Sequence, residues 1–340
     1  MHTRGRMDPD DVSADQVASG DSTDVTYISL NKPVWFYGLR NAAWLLPTHD
    51  ARAKLIAFTP LSCPAANAGP QPEDDRGRFS RAVPLFLAES CWFRSGLRPV
   101  AMIPAVKGSG PAMLDKEMSE EEVWDLGTAG IGYVVTGTLV EDGLTCELSL
   151  TLYDAMTKEK VQRFSRTGPR FKLGGMVLEL DEELRAIFSG QALPDNSWYE
   201  APTPALIDGY LGSLARALTL FLAQKKVVPS DQVVGEPNLL TWIGDFASAA
   251  PGLPVPPIMF ASAIGSDRGM GSDIYKGFKD QAFALIARES DPTSPFFRIA
   301  PLVFQLFDNA DLYADRCGVL LENADTPLID WLSSLESPSA

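Results

Sequence analysis

The sequence predicts an α/β (α+β) N-terminal domain, with a mixed sheet and a β-meander, followed by an all-α C-terminal domain of antiparallel helix pairs. Apolar and polar residues alternate over residues 132–166, which is typical of strands. After residue 203, apolar residues instead recur at helical spacing between prolines. The predicted segments are a disordered tail (1–25), the α/β domain (26–190), a linker (191–203) and the helical domain (204–336).

Apolar runs and amphipathic stretches alternate before the meander. Ser119 is followed three residues later by Glu122, which is the capping-box pattern of a helix start. Pro84 is expected in the first turns of its helix, where proline is tolerated. The predicted order is strand 54–61, helix 79–96, strand 98–105 and helix 118–130.

The meander is the most regular part of the sequence. Asp142–Gly143 separates two alternating runs and predicts a hairpin turn. A second turn is expected over 154–159, and a helix over 173–190 is expected to pack across the sheet. One predicted face holds Leu144, Cys146, Leu148, Leu150 and Leu152, and the other holds Thr145, Glu147, Ser149, Thr151 and Tyr153.

This arrangement resembles the N-terminal domain of TolB and its relatives, which include the FlgO and CsgG envelope proteins and cytoplasmic TolB-like modules. The resemblance covers about residues 54–190 and rests on Gly137–Thr138, Asp142–Gly143 and Asp154–Ala155 with Thr157. The chain departs from the family pattern at Lys158, where the family has glycine. The resemblance implies a protein-binding or scaffold domain without catalytic residues.

Three adjacent aromatic residues, Trp35, Phe36 and Tyr37, follow the predicted tail. Two placements are compatible with this cluster: the hydrophobic core, or a patch that binds a protein partner. Core is favoured because most aromatic clusters are buried. If the chain is a scaffold, these three residues are the candidate partner-binding residues, together with the concave side of the helical array.

Charge and composition argue against several classes of function. The 340-residue chain has a formal net charge of −15, which repels nucleic acid and anionic lipid. The sequence has no apolar run long enough to span a membrane. We therefore expect no nucleic acid partner, no integral membrane span and, since a secretory signal is also lacking, a cytoplasmic location.

The chain holds two histidines, His2 and His49, and four cysteines without CxxC spacing. A catalytic triad would therefore depend on His49 alone, and zinc sites lack ligands. The sequence predicts reduced thiols, no metal site and no cofactor. The cysteines are Cys63, Cys91, Cys146 and Cys317.

The C-terminal half reads as successive short helices. Thr203 as N-cap and Pro204 at the first helical position predict a strong helix over 203–226. The brief connections favour helix pairs, in a degenerate TPR-like array without a clean 34-residue period. Weaker helices are predicted over 237–250, 256–264, 272–289, 295–307, 310–322 and 326–335.

Two glycine-rich stretches resemble phosphate loops, but both are better explained as surface loops. Residues 264–278 lack a preceding strand and contain Asp267 and Asp273, which repel phosphate. Residues 106–113 follow a strand but lack the required glycine register. The expected function is therefore a non-enzymatic interaction or scaffold subunit of a larger bacterial assembly. Two alternatives stay open: a metal-dependent hydrolase that uses Asp267 and Asp273, and a ligand-sensing module with an interdomain pocket.

Overall fold

The structure is a computed structural model, in which six segments of the chain are described. The predicted tail, except Val25, lies outside these residues, as do residues 191–197 of the predicted linker. The described segments are 25–64, 69–70, 75–106, 110–189, 198–228 and 237–336.

The N-terminal half contains a mixed sheet, as predicted. Its strands are β1 (Val25–Leu30), β2 (Leu55–Ser62), β3 (Gly69–Pro70), β4 (Arg98–Val106), β5 (Gly110–Met113), β6 (Tyr133–Asp142), β7 (Thr145–Asp154) and β8 (Glu159–Pro169). Their order is β3-β5-β4-β2-β6-β7-β8, and β1 also pairs with β4. The central strands β4, β2 and β6 are parallel, whereas β1, β7 and β8 are antiparallel to their neighbours.

Helices cover both faces of this sheet. Helix α1 (Asp75–Arg94) connects β2 to β4, and α2 (Glu120–Thr128) lies in the connection from β4 to β6. Helix α3 (Leu173–Ile187) packs on β7 and β8 and also contacts α1. Val123 and Leu126 of α2 are buried in a separate small cluster with strand residues. The predicted capping box is confirmed, because Ser119 and Glu122 bond reciprocally at the start of α2.

The meander forms the predicted hairpin, with Gly143 in the left-handed region at φ 59°. The predicted apolar face of β7 is buried from Cys146 to Leu152. Leu144 was expected on that face but is 86% exposed, because it lies in the turn before β7 begins. The opposite face is also partly buried: Ser149 and Thr151 are inaccessible to solvent although they are polar.

The C-terminal half is helical. Its helices are α4 (Ile207–Gln224), α5 (Pro237–Ala249), α6 (Val255–Gly269), α7 (Lys279–Arg288), α8 (Pro295–Leu306), α9 (Ala310–Leu321) and α10 (Thr326–Glu336). From α4 to α9, each helix contacts the next one in the chain. None of these helices, nor any other helix that the structure describes, is both long and apolar enough to cross a bilayer.

Several predicted boundaries are wrong. Helix α1 begins four residues before Phe79. The prediction missed this first turn because residues 75–78 are polar and carry no apolar period. Pro84 is therefore the tenth residue of the helix and does not lie in its first turns. Helix α4 begins at Ile207, because the Thr203 carbonyl accepts N–H bonds in a preceding turn. Gly110–Met113, expected in a surface loop, is strand β5.

The two halves share one hydrophobic cluster of buried side chains. The short 3₁₀ helix Val34–Gly38 packs against both α4 and α6. At this contact the backbones approach closely: a Cβ on Gly265 would lie 2.4 Å from the Gly38 carbonyl oxygen. This 3₁₀ helix after β1, which we call the arm, is thus a core element that joins the sheet to the helices.

Candidate functional site

A groove lies where the end of the sheet meets the C-terminal helices. Its volume is about 550 Å³, within the range of small-molecule sites. It lies near the carboxyl end of β6, one of the parallel strands, which is where α/β sheets commonly bind ligands. Its lining consists of Arg76, Arg78, Phe79, Leu139, Glu141, Arg170, Leu173, Asp208, Gly209, Leu211, Gly212, Arg216 and Trp242.

Two arginines of the groove share one carboxylate. The Nε of Arg76 donates a 2.7 Å hydrogen bond to Glu141, and Arg170 forms an ion pair with Glu141 at 3.4 Å. Glu141 belongs to β6, Arg76 to α1, and Arg170 to the 3₁₀ turn before α3. The mostly buried Glu141 therefore holds guanidinium groups from two different elements at the same end of the groove.

The first turns of three helices contribute to the lining. Arg76 lies in the first turn of α1, Leu173 begins α3, and Asp208 lies in the first turn of α4. The start of a helix carries a partial positive charge from its aligned peptide dipoles. The Asp208 carboxylate interacts with the start of α3, because it accepts the backbone N–H of Gly174. Burial nevertheless raises the pKa of Asp208.

Trp242 of α5 forms the far wall. The guanidinium of Arg216 lies 4.0 Å from the centre of its ring, and Arg216 also donates a 2.8 Å hydrogen bond to the Gly212 carbonyl. A Cβ on Gly212 would lie 3.1 Å from the Trp242 Nε1, so glycine lets the indole pack closely on α4. Trp242 remains 45% exposed. The ring is thus fixed on α4 while part of it faces solvent.

A second groove of about 530 Å³ shares Arg216 and Trp242 with the first. Its other lining residues are Thr241, Asp245, Phe246 and Ala249 of α5. Phe246 packs into α4 at Gly209, where a Cβ would lie 2.6 Å from the ring. The two grooves therefore lie beside each other, with Trp242 and Arg216 in the lining of both.

The charge of the first groove opposes the charge of the chain. Among the residues that the structure describes, four guanidinium groups and two carboxylates line it, a surplus of two positive charges. The whole chain has a formal net charge of −15. A cleft with low-dielectric walls concentrates the field of the groups that line it, so these guanidinium groups act more strongly on a bound charge than they would on an open surface.

The structure places the aromatic cluster in the core. Trp35 has no exposed surface and Phe36 is buried, while Tyr37 is half-buried against Phe221. This is the first of the two placements that the sequence left open. Trp35 and Phe36 therefore offer a partner no surface in this fold.

Asp267 and Asp273 lie in different environments. Asp267 is buried within α6, which extends five residues beyond its predicted end, and accepts the backbone N–H of Tyr275 at 2.9 Å. Asp273 is exposed and pairs with Lys276 at 2.6 Å. Neither residue lines the groove. Within the described segments, no three His, Cys, Asp or Glu side chains are grouped so that they could hold a metal ion.

Sequence reasoning missed a buried carboxylate, Glu89 of α1. Trp35 Nε1 donates to it at 2.7 Å and the Tyr199 hydroxyl at 3.1 Å, and the Tyr210 hydroxyl also donates. Burial raises the pKa of Glu89 to about 7, although the three hydrogen bonds oppose the shift. We call these four residues the Glu89 cluster. Its members are separated in sequence by up to 121 positions from Glu89, so no local pattern signals it.

No family model matches the chain, and no curated protein matches it. The resemblance to the TolB family therefore stays a prediction from the sequence.

Proposed function

We propose that this chain is a non-enzymatic ligand-binding module whose groove holds an anion between the sheet and the helices. The observation that supports it is a cavity of ligand size whose described lining residues include four arginines and only two carboxylates. The four arginines come from α1, the turn before α3, and α4. Guanidinium groups bind carboxylate and phosphate oxygens through paired hydrogen bonds, which makes an oxyanion the matching ligand.

The position of the groove makes it suited to sensing. One wall comes from the sheet, α1 and the start of α3, and the other comes from α4 and α5. A ligand that contacts both walls binds the packed arrangement more tightly than any arrangement in which the walls separate. Ligand binding therefore stabilises that packing by mass action. A partner protein that binds the packed arrangement then binds more tightly when the ligand is present.

Calorimetric titration of the full chain with phosphate, sulfate and citrate tests the proposal. Arg170→Gln removes a groove arginine that pairs with Glu141 at 3.4 Å, and Arg163→Gln is a matched control, because Arg163 pairs with Glu117 at 3.6 Å outside the groove. Loss of one charge-assisted hydrogen bond weakens anion binding by about tenfold in Arg170→Gln alone. Absence of binding by all three anions, or equal weakening in both variants, contradicts the proposal.

A second candidate is the scaffold function, which is favoured by apolar residues on the surface of the last helices. Leu312 and Val319 are exposed two turns apart on one side of α9, and Leu321 and Ile329 are also exposed. Exposed apolar groups at this spacing are typical of a face that packs on another helix. We infer that a protein partner would bind this face.

Affinity purification from native lysate tests the second candidate. A stoichiometric partner should be lost from the double variant Leu312→Glu/Val319→Glu. Met156→Glu is the control, since Met156 is also an exposed apolar residue but lies in the turn after β7. Retention of the partner by the α9 variant, or purification of the chain alone, argues against a scaffold that uses α9.

The cysteines support our proposal that the chain works in the cytoplasm. None of the four forms a disulfide, and Cys63, Cys91 and Cys146 are buried. Burial raises the pKa of Cys91 to about 12, so its thiolate form is scarce at neutral pH. Unpaired, unreactive thiols are typical of proteins from reducing compartments.

A further inference from the structure

Trp242 is placed as a stacking surface. It is held by the Arg216 guanidinium on one side and by the glycine-lined surface of α4 beneath, yet nearly half of it faces the two grooves. An exposed indole that is fixed in this way loses little side-chain freedom when a ligand covers it. Flat aromatic rings of a ligand stack on such a side chain with little regard to their substituents.

The groove also matches the charge of a phosphate monoester. Such a group carries about 1.5 to 2 negative charges at pH 7, and four of the described lining residues are arginines, which carry the opposite charge. Arg76 and Arg170 are oriented toward one end of the groove by Glu141, and the first turn of α1 lies at the same place. Helix starts and guanidinium groups together are the usual elements of a phosphate site.

The two features belong to one cavity, and this sets the class of ligand. We propose that the groove binds a small phosphorylated compound with a flat aromatic ring, of which a nucleotide is the common biological form. The phosphate lies toward Arg76 and Arg170, and the ring stacks on Trp242. The inference rests on the proposed function and specifies its ligand. A volume of about 550 Å³ accommodates one such molecule.

Calorimetry on the full chain compares four probes under the same salt and pH: adenosine 5′-monophosphate, ribose 5-phosphate, adenosine and inorganic phosphate. Stacking of the ring makes adenosine 5′-monophosphate bind about tenfold more tightly than ribose 5-phosphate. Adenosine alone binds more weakly than either, because it lacks the charge that the arginines recognise. This comparison needs no variant, so it remains decisive if a variant does not fold.

Variants then assign the two contacts. Trp242→Ala should reduce the affinity for adenosine 5′-monophosphate to that for ribose 5-phosphate and leave the latter unchanged. Trp242→Phe, which keeps a flat ring, should retain most of the difference. Arg170→Gln should weaken both phosphorylated probes by about tenfold, because each depends on the charge-assisted contact. Circular dichroism of each variant checks that it is folded.

The outcomes separate this inference from the function on which it rests. If anions bind but adenosine 5′-monophosphate has no advantage over ribose 5-phosphate, the inference is wrong and the anion-binding function stands. The inference also fails if Trp242→Ala weakens both phosphorylated probes equally. If none of the phosphate-bearing probes binds, the inference is wrong, and the anion-binding function is wrong as well if sulfate and citrate also fail to bind.

Discussion

The indole Nε1 of Trp35 donates a 2.7 Å hydrogen bond to Oε2 of Glu89, 54 residues away, and both side chains are buried. Trp35 belongs to the arm after β1, and Glu89 belongs to α1. The Tyr210 hydroxyl of α4 donates to the other oxygen of the carboxylate. Three separate segments therefore meet at one buried acid. Because removal of one partner leaves a buried group unpaired, this contact makes their packing interdependent.

The raised pKa of Glu89 makes stability depend on pH. Its pKa is about 7 in the folded chain and 4.5 in the unfolded chain, so between these values the folded chain holds a proton that the unfolded chain has released. Stability from this group is therefore full below pH 4.5 and is lost as pH rises to 7. The difference in pKa corresponds to a loss of about 3 kcal/mol.

Glu89→Gln removes this titration while keeping a neutral, hydrogen-bonding side chain. We expect the free energy of unfolding of the variant, relative to the natural chain, to rise by about 3 kcal/mol between pH 4.5 and pH 8. Urea unfolding at a series of pH values measures it, and the other titrating groups cancel because both proteins contain them. Parallel pH curves for the two proteins would contradict the assignment to Glu89.

Removal of one hydrogen-bond donor to Glu89 should shift the pH range over which the chain loses stability. In Tyr210→Phe the carboxylate loses the hydrogen bond that most lowers its pKa, so the pKa of Glu89 rises further and the stability loss extends to higher pH. Above that range the variant is less stable by about 1 to 3 kcal/mol. Tyr133→Phe is the matched control, because its hydroxyl accepts a 3.2 Å hydrogen bond from the exposed Lys54 and lies far in sequence from the Glu89 cluster. Equal pH profiles for both variants would refute the role of Tyr210.

The sequence predicts secondary structure best where apolar residues recur at a short, regular spacing. The alternation of residues 132–166 predicts β6, β7 and β8, and it is clearest in β7, where Cys146, Leu148, Leu150 and Leu152 form one buried apolar face. The apolar stripe of α4 predicts a helix for the same reason, although its start is misplaced. Boundaries fail where tertiary contacts extend a helix through polar residues, as Arg76 does by pairing with Glu141.

The groove and the Glu89 cluster are not visible in the sequence, because their residues come together only in three dimensions. Arg76, Arg170 and Arg216 are far apart in sequence and belong to three different elements. Trp242 is one aromatic residue in an apolar helix, and nothing next to it indicates that it is exposed. The open alternative of a ligand between the halves is the only part of the sequence analysis that leads to this site.

Two glycine substitutions should have opposite effects on stability. In Gly265→Ala the new Cβ would lie 2.4 Å from the Gly38 carbonyl oxygen, so α6 must move away from the arm. We expect a loss of about 1 to 3 kcal/mol, as in other overpacked contacts. Gly318→Ala adds a methyl group to open space within α9 and should gain about 0.5 to 1 kcal/mol from helix propensity. Thermal unfolding measures both, and a stabilised Gly265→Ala would show that the close backbone contact is absent.

The two aspartates of residues 264–278 should differ in the same way. Asp267→Ala leaves the Tyr275 N–H and the Ser272 hydroxyl without their acceptor, which costs about 1 to 3 kcal/mol at a buried site. Asp273→Ala removes only a surface ion pair with Lys276 and should change stability by less than about 0.5 kcal/mol. Urea unfolding of both variants measures the contrast. A folded Asp267→Ala of unchanged stability would argue against a structural role for this carboxylate. A large loss of stability in Asp267→Ala alone instead shows that this carboxylate holds α6 to the turn that follows it. Asp273, six residues further on, would then contribute little to the stability of the same segment.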